Sequence, residues 1–259
     1  MTANGTPELH HVLEGPEDAP VLVLSNSLGT ALGMWDDQAP ALRERFRLLR
    51  YDIRGHGGSS APPGPYEMAD LGRDVVRLLD GLGIGRASFC GLSVGGMTGM
   101  WLAAEKPERV ERLFVCCTSA LLGPKSLWDG RIETVRTKGM AALVDGVVER
   151  WLTPAFRSEN PETVEKLAGM LRSTDPEGYA GCCAAIRDMD LRGRLGSIRA
   201  PTLVISGADD PATPPEHGEL ISDSIPGARF EVVAGASHLA NIERPEEIKD
   251  LILDHLEAR

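Results

Sequence analysis

The sequence predicts an α/β fold built on a mostly parallel sheet with helices on both faces. Two observations carry this. Short apolar runs alternate with helical patterns along most of the 259 residues, as parallel strands joined by helical crossovers require. The alternation breaks once, between about residues 121 and 196, where helical patterns follow one another without a convincing strand.

Taken in order, strands are expected at residues 8–13, 21–25, 46–52, 87–92, 112–117, 202–206 and 229–233. All but the first read as buried apolar runs. A helix is expected over 68–82, where Leu71, Val75, Leu78, Leu79 and Leu82 recur at helical spacing. Others are expected over 95–105, 215–225 and 245–256, with Pro245 in a first turn and Pro226-Gly227 after a helix end. Inside the interruption, 134–151 and 161–173 are amphipathic and 178–189 is rich in small residues. The strand pattern resumes at once with Pro201-Thr202-Leu203-Val204-Ile205. The interruption therefore reads as a helical lid over the carboxyl edge of the sheet, where ligands bind in open α/β sheets, rather than as a separate domain. The expected organisation is a core in two parts, 1–120 and 197–259, with the lid at 121–196.

Composition excludes several classes. With 27 Lys and Arg against 38 Asp and Glu, the net charge is −11. No basic run exists to neutralise phosphates, so neither nucleic acid nor an anionic membrane surface is an expected partner. The longest apolar runs, 21–24 and 113–117, fall far short of a membrane span. The opening MTANGTPELHH has neither a basic start nor an apolar stretch, so no export signal is expected. Cys90, Cys116, Cys117, Cys182 and Cys183 are odd in number, and four of them are sequence neighbours. They read as reduced, buried thiols of a cytoplasmic protein. No metal-ligand spacing is present, and no metal is expected.

The chemistry concentrates in Phe89-Cys90-Gly91-Leu92-Ser93-Val94-Gly95-Gly96. A buried strand runs into G-x-S-x-G and then a helix, the context of a nucleophile elbow. A serine held on a strained turn projects its hydroxyl only if residues two positions away lack side chains. Gly96, Gly99 and Ala103 let the helix pack closely on the strands. A serine nucleophile needs a base, and of six histidines His238 stands where it belongs, in the loop after the last strand and before the final helix. The acid orienting that base should follow a strand between the two. Ile205-Ser206-Gly207-Ala208-Asp209-Asp210 offers two carboxylates, Asp209 and Asp210. An oxyanion hole needs two backbone donors. Val94 N–H supplies one, and Leu28, in the turn Asn26-Ser27-Leu28-Gly29-Thr30, is chosen for the other on its spacing to Trp35.

These residues resemble the α/β-hydrolase fold family across essentially the whole chain, through Ser93 in its elbow, Tyr51-Asp52-Ile53-Arg54-Gly55-His56-Gly57, Gly207-x-x-Asp210-Pro211 and His238. The resemblance selects Asp210, three residues after the glycine. Within the family the chain is most similar to 3-oxoadipate enol-lactonases of the β-ketoadipate pathway. The segments that carry this are Ser25-Asn26-Ser27-Leu28-Gly29-Thr30 with Met34-Trp35-Asp36, Gly96-Met97-Thr98-Gly99-Met100-Trp101-Leu102, and Asp210-Pro211-Ala212-Thr213-Pro214-Pro215. Val94 departs from the Met or Leu expected there, but only its backbone matters. Ser93 separates the chain from dehalogenases and epoxide hydrolases, which carry a carboxylate at that point.

The resemblance implies hydrolysis of a small anionic lactone without a cofactor. Its free carboxylate requires a cation in a mostly apolar pocket. Arg131 and Arg187 are the candidates, with Trp128 and Trp151 as apolar walls. A carboxyl-esterase, a C–C bond hydrolase and a non-catalytic binder are the alternatives.

Overall fold

The computed structural model describes residues 6–258. Residues 1–5 and 259 lie outside it, among them the start of the stretch read for an export signal. Seven strands form one sheet in the order β1-β3-β2-β4-β5-β6-β7. They are β1 (His11–Glu14), β2 (Val21–Ser25), β3 (Arg47–Tyr51), β4 (Ala87–Leu92), β5 (Val110–Cys116), β6 (Thr202–Gly207) and β7 (Arg229–Val233). Only β1, paired to β3, runs antiparallel.

Ala39–Leu42 (α1) precedes β3, Met68–Gly81 (α2) precedes β4, and Val94–Glu105 (α3) follows it. Between β5 and β6 come α4 (Lys125–Lys138), α5 (Val144–Trp151), α6 (Pro154–Glu159), α7 (Pro161–Ser173), α8 (Pro176–Asp188) and α9 (Arg192–Leu195). Pro215–Ser224 (α10), Ala240–Glu243 (α11) and Pro245–Glu257 (α12) complete the chain. Among the described residues no helix is long and apolar enough to cross a membrane. All five cysteines are free and buried.

The central strands β2, β4 and β6 are buried almost throughout, as near-continuous apolar runs should be. Three expectations need correction. β7 is an exposed edge rather than a buried strand, because it ends the sheet and pairs only with β6 among the described strands. β1 starts at His11, not residue 8, because the Glu8 and His10 amides donate to the Ser60 and Ser59 hydroxyls, both at 2.9 Å, instead of to a strand. The helix expected over 134–151 is two helices. Gly139, at φ 75°, closes α4, and a short 3-10 turn over Met140–Leu143 leads into α5.

Beneath the insertion His56 is fully buried. Its Nδ1–H donates to the Arg54 carbonyl at 3.0 Å, while Nε2 has no hydrogen-bond partner among the described residues. Burial lowers its pKa to about 4. A histidine whose folded pKa lies below its unfolded value of about 6.5 loses stability as pH falls from there towards the folded value. Urea unfolding should therefore show about 2–3 kcal/mol less stability from this residue at pH 4.5 than at pH 7. His56→Gln should flatten that slope, and an unchanged slope would contradict the assignment.

Candidate active site

The site forms at the carboxyl ends of β2, β4, β6 and β7. Ser93 follows β4 directly and adopts φ 57° and ψ −118°, the strained turn its motif predicts. The flanking glycines are required by space. A Cβ on Gly91 would lie 2.3 Å from the Gly95 carbonyl oxygen, and one on Gly95 would lie 2.4 Å from that of Ser25. The turn is tied down on both sides, since Ser93 N–H donates to Cys116 O at 2.9 Å and the Thr118 hydroxyl donates to Ser93 O at 2.7 Å. Helix α3 begins at the next residue, so its positive end faces the serine.

Asp210 is buried in the turn after β6, whereas Asp209 is exposed. His238 sits in the loop after β7, and Gly207 lets the two loops converge, because a Cβ there would lie 2.4 Å from Ser237 O. His238 Nδ1–H donates to Asp210 Oδ2 at 2.8 Å. Asp210 Oδ1 accepts the Ala212 and Thr213 amides at 2.8 and 3.0 Å, and the Thr213 hydroxyl donates to Oδ2 at 2.7 Å. Burial alone would raise the Asp210 pKa. The charge of His238 and the bonds from His238 and Thr213 outweigh it and hold the carboxyl at about 2. The remaining five histidines lie elsewhere. His10 pairs with Asp52, His11 with the Leu9 carbonyl and His217 with Ser119, and His56 and His255 are buried.

Ser93 and His238 line one cavity of about 200 Å³, roofed by helices of the insertion. Leu28 lines it too, while Val94 is fully buried at the first position of α3. Neither the Leu28 nor the Val94 amide has a backbone acceptor among the described residues. Trp128, Trp151, Val147 and Ile186 supply apolar wall.

The cations fall differently from expectation. Arg131 lines the cavity, with its guanidinium 4.9 Å over the Trp128 ring. Arg187 does not line it. Its guanidinium is committed to Asp129 at 2.8 Å and Asp188 at 2.6 Å, which raise its pKa, on the outer side of α8. Arg150, which the sequence reading passed over, lines the cavity in its place. The signal was available: Val147, Arg150 and Trp151 stand at the i, i+3, i+4 spacing of one helix face. Burial, then the charge of Arg131, lower the Arg150 pKa. Two guanidiniums thus share one stretch of cavity wall, neither in an ion pair with a described carboxylate, and guanidinium is the side-chain group chemically suited to a carboxylate. Among the described residues no group of three or more His, Cys, Asp or Glu is placed to hold a metal ion.

A strand–elbow–helix with its serine, an Asp–His pair across the loops and a cavity roofed by the helices between β5 and β6 define a hydrolase architecture. A sequence profile of the alpha/beta hydrolase fold matches residues 20–245, and the chain belongs to that family. It is 43% identical over 238 residues to 3-oxoadipate enol-lactonase 2 of Acinetobacter baylyi, covering 92% of this chain and 89% of that protein. The crystal structure of the enol-lactonase from Burkholderia xenovorans LB400 is 45% identical, with a TM-score of 0.95 and coverage of 98% and 97%. That of a hydrolase from Pseudomonas aeruginosa PA01 is 47% identical, with a TM-score of 0.96 and coverage of 100% and 97%.

Proposed function

We propose that this protein hydrolyses 3-oxoadipate enol-lactone, a small lactone bearing a free carboxylate, through Ser93, His238 and Asp210. The observation that carries the reading is that Ser93 and His238 line one cavity whose wall also holds Arg131 and Arg150, neither of them in an ion pair with a described carboxylate. The likeness to enol-lactonases supports the choice of lactone and a place in aromatic catabolism through the β-ketoadipate pathway.

His238 takes the Ser93 proton as the hydroxyl attacks the lactone carbonyl. The Leu28 and Val94 amides hold the resulting oxyanion. When the tetrahedral centre collapses, the ring C–O bond breaks and His238 returns the proton to the departing enol oxygen. The enol remains attached to the acyl chain, so nothing leaves at this stage. Its conversion to the ketone opposes reclosure. Water, activated by His238, then releases the dicarboxylic product from Ser93. Asp210 holds the imidazole in the tautomer with Nε2 free to accept, and stabilises its charged form.

Arg131 and Arg150 hold the substrate carboxylate, and the tryptophans exclude water around it. A charge-assisted hydrogen bond contributes about 1.5–3 kcal/mol. Arg131→Met and Arg150→Met should therefore each raise KM for the lactone about 10–100-fold, while hydrolysis of a neutral aryl acetate changes little. Arg187→Met should leave both unchanged. Equal losses on charged and neutral substrates would remove the arginines from recognition, and rapid aryl-ester hydrolysis with no lactone turnover would favour a carboxyl-esterase.

A further inference from the structure

We propose that Glu243 is a positioning residue that locks the base-bearing loop to the floor of the lid, so that His238 and the substrate wall keep one relative geometry. The inference rests on the role given to His238 above. Glu243 is buried at the end of α11 and takes part in none of the chemical steps. Its carboxylate joins two distant segments. Oε2 accepts the amide of Ser237, the residue before His238, at 2.5 Å. Oε1 accepts both the amide and the hydroxyl of Thr153, at 2.9 and 2.6 Å. Thr153 caps α6, immediately after the end of α5 that carries Arg150 and Trp151.

Two further bonds run in parallel. Leu239 N–H donates to Trp151 O at 2.9 Å, and the Ser237 hydroxyl donates to Arg150 O at 3.1 Å. The backbone is thus held on both sides of His238, and every one of these ties ends on residues 150–153 or on Glu243. Burying a carboxylate is costly unless several donors converge on it. Here three do, and bonds to an ionised acceptor are about twice as strong as neutral ones. Asp210 fixes the tautomer of the imidazole, while Glu243 fixes where the loop carries it.

Glutamine at this position keeps one acceptor but turns an amide NH2 towards either Ser237 N–H or the Thr153 donors, so one side of the clasp must open. The test uses the full-length protein and a small neutral phosphonate ester, which labels the serine without calling on the arginines. For Glu243→Gln, measured well below its melting temperature, labelling of Ser93 should slow about 10–100-fold, the loss expected for a misplacement of about 1 Å. The kcat for the lactone should fall in step. A purely structural Glu243 would lower the melting temperature without slowing the folded enzyme, and labelling at the wild-type rate would overturn the proposal. If Glu243→Gln does not fold, Thr153→Val, which removes the hydroxyl's bond to Glu243 and its cap on the Phe156 amide but keeps the Thr153 amide bond, should slow labelling about 3–10-fold, and a wild-type rate there would overturn it equally. Wild-type protein labelled at a residue other than Ser93 would instead sink the assignment of the nucleophile on which this inference stands.

Discussion

Ser93→Ala is expected to reduce kcat by about 10⁵–10⁶-fold, on the scale seen when a nucleophile acting in a concerted unit is removed. The reason lies in how narrowly the position is built. Its left-handed backbone is held by bonds to Cys116 and Thr118, and Gly91 and Gly95, two positions away on either side, are glycines because a Cβ on either would strike backbone. Water cannot be held there with the same aim, so no other group inherits the attack. The fold should survive, since the substitution removes one oxygen at the edge of a cavity. Affinity for a dicarboxylate product analogue, measured calorimetrically, should stay within about threefold, because Arg131 and Arg150 are untouched. Residual turnover near the wild-type rate would remove Ser93 from the mechanism.

Asp210→Asn is expected to lower kcat about 10⁴-fold while barely moving the structure. The amide orientation is dictated by its surroundings. Oδ1 accepts two backbone N–H groups, from Ala212 and Thr213, so the asparagine oxygen must stay there and its NH2 must face His238. Nδ1 then meets a donor instead of an acceptor. The imidazole responds by carrying its proton on Nε2, the nitrogen that has to accept from Ser93. Steady-state kinetics with an overlaid crystal structure would check this, and a loss below about tenfold would contradict it. The sign of the pH effect follows from the same contacts. A carboxyl held at about 2 stays charged through the working range. Its contribution to stability is present above the unfolded value of about 3.9 and is lost only as pH falls through about 2. The acid limb of the activity profile therefore does not report Asp210.

Much of this site was legible in the sequence because its decisive features are local. The turn at Ser93 needs glycine on both sides within five residues, and Asp210 and His238 each follow a recognisable strand. The choice between Asp209 and Asp210 was not legible in the turn itself and came from the resemblance; in the fold Asp210 is buried and accepts the Ala212 and Thr213 amides, while Asp209 is exposed. The arginines on the helices between β5 and β6 were less legible because their placement depends on helix phase. Ile186 lines the cavity, but Arg187, one residue on, is rotated about 100° and meets Asp129 and Asp188 instead. Arg150 faces inward because α5 presents Val147 and Trp151 on the same side. Glu243 was invisible for a different reason: its partners Thr153 and Ser237 come together only when the chain has folded. The boundary error at β1 has the same origin, since its first residues are lost to serine hydroxyls some fifty positions away.

The most direct test exploits the ring. An acyclic ester loses its alcohol on acylation, whereas a lactone opens without losing an atom. Acid quenching during turnover of 3-oxoadipate enol-lactone, followed by intact-mass measurement and peptide mapping, should find enzyme bearing the entire mass of the substrate, attached at Ser93. Lactone recovered unchanged, or an adduct mapped to any other residue, would contradict the account.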